Sequence, residues 1–130
     1  MELLPVTSSL AGLFALLAVA LSVSISLRRR KLQVAFGDAG DDTLRRRVRA
    51  FGNFAEYAAL ALVLVWLLEY QQGTTVFVRV LAGMLLAGRL LHAWGMLYST
   101  TPAPRGLGMT LQHLAFLAAG VWLLRGLVEQ

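Results

Sequence analysis

Apolar residues dominate four stretches of the chain, and polar residues collect between them. Leu3 to Leu27 and Gly106 to Leu124 contain no Asp, Glu, Lys or Arg, and a hydrocarbon core of roughly 30 Å needs about 20 helical residues to cross. Both stretches are therefore long enough to span a bilayer unaided. Ala50 to Leu68 and Val76 to Tyr98 are nearly as apolar but interrupted, by Asn53 and Glu56 in the first and by Arg79, Arg89 and His92 in the second. The pattern predicts an all-α, integral membrane four-helix bundle occupying residues 1–130 as one domain, with spans near 8–28, 46–69, 75–98 and 106–127.

Punctuation between the stretches agrees with that division. Gly37, Asp38 and Gly40 are turn formers, and Asp41, Asp42 and Thr43 are cap candidates, so the second helix should begin before it enters lipid. Gly73 is a stop signal, with Thr74 or Thr75 as the next cap, which makes the second and third helices antiparallel neighbours. Pro102 and Pro104 end the third helix and set up the fourth. Trp66 and Tyr70 fall at interface depth. Gly83 and Ala87 on the third helix and Ala55, Ala58, Ala59 and Ala61 on the second predict close helix approach, with both helices inside the bundle.

Composition narrows the class. Hydrophobic residues make up 58% of the 130 and the mean hydropathy is +0.67, too apolar for a soluble core of this size. There is no cysteine, which excludes disulfides, cysteine-ligated metals and a protein thiol nucleophile; any sulfur chemistry must come from a ligand. A net charge of +5 is also what a nucleic-acid binder carries, but eight of the twelve Lys and Arg lie between Arg28 and Arg49, in one connection. That bias places the first and third loops in the cytoplasm and both termini on the outer side. Ala18-Val19-Ala20 resembles a cleavage site, yet Glu2 precedes the apolar run and the basic run follows it, the arrangement of an uncleaved anchor.

The interrupting residues of the second helix carry the candidate chemistry. At 3.6 residues per turn, Arg49, Asn53 and Glu56 fall at about 0, 40 and 340 degrees, one narrow stripe rising about 10 Å. A carboxylate at such depth must face a partner or an aqueous cleft. A purely structural reading pairs Glu56 with Arg89 of the third helix and uses Asn53 as polar glue. The functional reading begins with the surplus of cations at the cytoplasmic end: Arg28 and its neighbours, Arg45 or Arg46, Arg49, Arg89 and Arg105 outnumber the available carboxylates, which implies a small anionic ligand. With Glu56 and Asn53 free to receive an ammonium and an amide, glutathione matches the donor and acceptor set. His92, one turn from Arg89, is placed to donate to a thiolate or a ligand carboxylate, or to make a polar helix contact; His113 reads as a packing histidine.

The runs RVRAFGNFAEYAALALVLVWLLE, GMLLAGRLLHAWG and RGLGMTLQHLAFLAAGVWLL resemble the MAPEG family, membrane-associated proteins in eicosanoid and glutathione metabolism, and its bacterial branch in particular. The resemblance covers Leu10 to Leu124, and the spacing of Arg49, Asn53, Glu56 and Tyr57 is its most specific part. It implies an amino-out homotrimer in the bacterial inner membrane, with glutathione as cosubstrate between subunits near the cytoplasmic face. Arg49, Asn53, Glu56 and Tyr57 would come from one subunit, and the ends of the third and fourth helices from its neighbour. Arg105 is near in order to the arginine that activates the thiol in some members. Eicosanoid synthases of the family carry third-helix tyrosines where this chain has His92 and Met96, and a proline where it has Ala59. The implied activity is a glutathione or other thiol transferase or peroxidase acting on lipophilic electrophiles, with Arg105 and His92 catalytic and Arg28, Arg45, Arg49, Asn53, Glu56, Tyr57 and Arg89 binding the thiol. A small proton-coupled exporter, or a bundle that binds thiols without turnover, is the alternative class. No metal site is expected.

Overall fold

The computed structural model describes residues 4–128, with side chains to 126, and they form four helices: α1 (Pro5–Leu32), α2 (Asp42–Gln72), α3 (Val76–Leu97) and α4 (Ala103–Val128). α2 and α3 form the middle of the bundle; α1 and α4 flank them and, among the described residues, do not touch each other. All four helices are long and apolar enough to cross a membrane. Their outward surface is apolar too: Leu16 and Val19 on α1, Leu117 and Val121 on α4 are all at least 60% exposed. A water-soluble bundle would hide these side chains, so the fold is that of an integral membrane protein.

Each helix end has a local cause. Pro5 occupies the first turn of α1, where its missing N–H costs nothing. Gln33 closes α1 in the left-handed region at φ 56°. Asp41 caps α2 by accepting from the Leu44 N–H at 2.6 Å, and Thr75 caps α3 by accepting from the Val78 N–H at 3.3 Å. Asp41 also receives Arg28 Nε at 3.0 Å and Nη2 at 2.6 Å, which ties the end of α1 to the start of α2. Those bonds, the Arg28 guanidinium first and the Leu44 amide second, hold the Asp41 carboxyl down at about 2. Its contribution to the joint is therefore complete above the usual carboxylate range and fades as pH falls toward that value.

At the opposite end of the bundle a long-range cap does similar work. Glu69, only 1% exposed near the end of α2, accepts from the Val6 N–H at 3.0 Å, the Thr7 N–H at 2.7 Å and the Thr74 hydroxyl at 2.8 Å. A buried carboxylate thus satisfies the free amides that begin α1, a position where negative charge is favoured.

The core between the helices is built from Leu10, Phe14 and Leu21 of α1, Phe54, Ala58, Ala61, Val65 and Leu68 of α2, and Leu81 and Leu85 of α3. Phe14 meets Phe54 edge to face at 5.4 Å. The small residues that allow close approach are not those the spacing singles out. Gly83 and Ala87 of α3 face outward, as do Ala55 and Ala59 of α2, whereas Ala58 and Ala61 are buried. α3 instead meets α4 through Gly88 and Gly95: a Cβ on Gly88 would lie 2.9 Å from the Gly108 carbonyl oxygen, and one on Gly108 would lie 2.6 Å from the Gly88 oxygen. Backbone contacts this tight leave no room for any side chain.

Candidate functional site

The stripe predicted on α2 becomes one wall of a cleft of about 340 Å3. Val48, Arg49, Gly52, Asn53 and Glu56 come from α2, His92 and Met96 from α3, and Arg105 from the first turn of α4. Gly52 lets the wall recede between the two charges, since nothing lies within 4 Å of where its Cβ would be. Gly95 brings Arg105 to the cleft, because α4 starts so close to α3 that a Cβ there would stand 2.8 Å from the Arg105 nitrogen. One chain therefore gathers side chains from α2, α3 and α4, where the resemblance assigned the ends of α3 and α4 to a neighbouring subunit.

Behind this wall lies a buried polar cluster. Arg89, 1% exposed, donates from Nη1 to Asn53 Oδ1 at 2.7 Å and from Nη2 to Met109 Sδ at 3.5 Å. Its guanidinium carbon stands 5.0 Å from the centre of the Tyr57 ring, a cation–π arrangement. The ion pair expected between Glu56 and Arg89 is not formed. Asn53 supplies a nearer oxygen on the inward side of the stripe, while Glu56 is exposed on the outward side. Among the described residues Glu56 has no ion-pair partner, and neither does Arg49. Arg105 has only a soft acceptor, Met96 Sδ at 3.6 Å.

The remaining predicted residues are dispersed. Arg28 is engaged with Asp41. Arg45 pairs with Asp42 and stands 3.8 Å from Asp38. It borders a shallower depression that also includes Arg29, Val48 and Arg49, so the cleft continues past Arg49 toward the α1–α2 loop. Arg46 donates to the Ser99 carbonyl and Arg47 to the Ser24 carbonyl, each at 2.6 Å, which fastens α2 to its neighbours. Tyr57 lies beneath Arg89 and against the His113 ring at 6.0 Å, outside the cleft lining. His92 is buried and does line it. Met96 and Gly95 were not foreseen as parts of the site; the seven-residue spacing of Gly88 and Gly95 was the available signal. Among the described residues no three His, Asp or Glu side chains gather as metal ligands would.

Chemically, the cleft offers the guanidinium groups of Arg49 and Arg105, the free carboxylate of Glu56 and the imidazole of His92 in one lining. It suits a zwitterionic molecule with more negative than positive groups. Fold and site together define an integral membrane bundle of four helices with a polar cleft among α2, α3 and α4 near its cation-rich end. The chain belongs to the MAPEG family, whose model matches residues 7–125. It is 37% identical over 90 residues, 69% of each chain, to "Inner membrane protein YecN" of Escherichia coli strain K12, and equally to the protein of that name in Escherichia coli O6:H1. No solved structure matches it.

Proposed function

We propose that this protein is a bacterial inner-membrane transferase or peroxidase that uses glutathione, or another low-molecular-weight thiol, against lipophilic electrophiles, and that it works as a homotrimer with its cleft toward the cytoplasm. The observation that carries this reading is the unneutralised set Arg49, Glu56 and Arg105 around one cleft. Arg49 would clamp a ligand carboxylate, Glu56 would take the ammonium, and Arg105 would lie beside the sulfur. The concentration of cationic residues between Arg28 and Arg49 supports the orientation, and the similarity to an inner membrane protein supports the compartment.

The chemistry follows from charge. A free thiol titrates near about 8.5, and a neighbouring guanidinium brings it into a range of roughly 3.5 to 7.5. Met96 Sδ already accepts a hydrogen bond from Arg105, and a thiolate is the stronger acceptor of the same kind. In the transferase reaction the sulfur forms a bond to an electrophilic carbon as the leaving group departs with its electron pair. In the peroxidase reaction it attacks the distal peroxide oxygen, giving an alcohol and a sulfenic acid that a second thiol converts to disulfide and water. His92, at the cleft wall, is the candidate for moving the thiol proton.

The test is the ultraviolet absorbance of bound glutathione thiolate against pH in detergent. The wild type should titrate within the range of about 3.5 to 7.5, and Arg105→Gln should return the thiol toward about 8.5. Binding with a thiol that titrates near its free value in the wild type would leave a thiol-binding bundle without turnover.

A further inference from the structure

At the end of the bundle remote from the cationic loop, α1 and α3 leave a groove of about 400 Å3 that is mostly apolar. Leu10 and Leu13 line one wall, Ala82, Gly83 and Leu86 the other, and Arg79 stands at its mouth. Arg79 is exposed, and its guanidinium has no ion-pair or hydrogen-bond partner among the described residues. The only described carboxylate at this end, Glu69, is buried and committed to the start of α1 and to Thr74. Among the described residues, then, nothing neutralises this cation.

The shape below it is equally specific. From Arg79 to Leu86 the helix rises about 10 Å, so the groove follows the membrane normal for a substantial part of one leaflet. Gly83 keeps it open: nothing lies within 4 Å of where a Cβ would stand. The surface around it, Leu13 and Val80, is about half exposed and apolar, facing where lipid chains lie. We propose that this groove holds an acyl chain of an anionic phospholipid whose phosphate pairs with Arg79. A second copy of the chain is a poorer occupant, because it would have to set a carboxylate against Arg79 and the described residues at this end have none to spare.

Full-length protein in mild detergent, titrated with phosphatidylglycerol or phosphatidylcholine of the same chain length and observed by native mass spectrometry, tests this. One phosphatidylglycerol should be retained per chain, about fivefold more tightly than phosphatidylcholine, the worth of one interfacial arginine. Arg79→Gln should abolish that preference while leaving a residual complex with either lipid. Gly83→Leu, whose Cβ has nothing within 4 Å and whose longer side chain would occupy the groove, should lose both. Glutathione binding, which depends on the other end of the bundle, should remain that of the wild type in both variants, and so should the melting temperature measured without added lipid; together they report correct folding. Equal retention of the two lipids by the wild type, retention unchanged in Gly83→Leu, or dissociation of an oligomer by Gly83→Leu would each overturn the proposal, the last by identifying a second copy as the occupant.

Discussion

At the scale of single residues, the two polar side chains that interrupt α2 do different work although they are less than one turn apart. Asn53 faces inward and gives its oxygen to a buried guanidinium, and Glu56 faces outward and has no partner among the described residues. Asn53→Ala should therefore destabilise the bundle by about 1 to 3 kcal/mol, since it strips a buried charged donor of its best acceptor. Glu56→Gln should leave the melting temperature in detergent unchanged but weaken thiol binding by about 1.5 to 3 kcal/mol, the scale of a charged hydrogen bond. Melting and binding curves on the two variants make the comparison. A destabilised Glu56→Gln with normal binding would return Glu56 to a structural role. The stripe itself was legible in the sequence, because helical spacing alone puts Arg49, Asn53 and Glu56 on one face. Which of them meets Arg89 was not, because a helix that approaches from one side separates two residues about 60 degrees apart in a way that spacing cannot resolve.

Among the elements, the caps and spans were readable because their causes are local. Asp41, Gly73 and Thr75 act on residues no more than four positions away. Glu69 was not readable as a cap: its amides lie 62 and 63 residues earlier in the chain, on another helix. The same limit explains the misplaced glycines. Gly83 and Gly88 are both small residues with small neighbours at helical spacing, and only the rotation of α3 against α4 decides which is buried. Substitution separates them clearly. Gly108→Ala should cost about 1 to 3 kcal/mol, because its Cβ would strike backbone on α3 at 2.6 and 2.7 Å. Gly83→Ala should be neutral or stabilise by up to about 1 kcal/mol through helix propensity. Thermal melts in detergent should rank them in that order, and a tolerated Gly108→Ala would mean that α3 and α4 are not so closely crossed.

For the whole molecule, the unpaired carboxylate at Glu56 is a constraint on assembly as well as on binding. It lies on an exposed α2 face with Gly52, Ala55 and Ala59, where a lone chain would present charge and small side chains to hydrocarbon. Small residues permit close helix contact, so a copy of the chain packed against this face would both bury the stripe and close the cleft over a bound thiol. The proposed homotrimer meets that need, with each cleft bounded by a neighbour. The absence of cysteine allows a direct measurement, since single introduced thiols report without background. Ala59→Cys should form intermolecular disulfides in native membranes on mild oxidation, whereas Leu117→Cys, on the outward face of α4, should not. Native mass spectrometry of the same material should give the mass of three chains. If Ala59→Cys stays monomeric while Leu117→Cys cross-links, the chains meet through α4, and Glu56 must find its partner in the ligand alone.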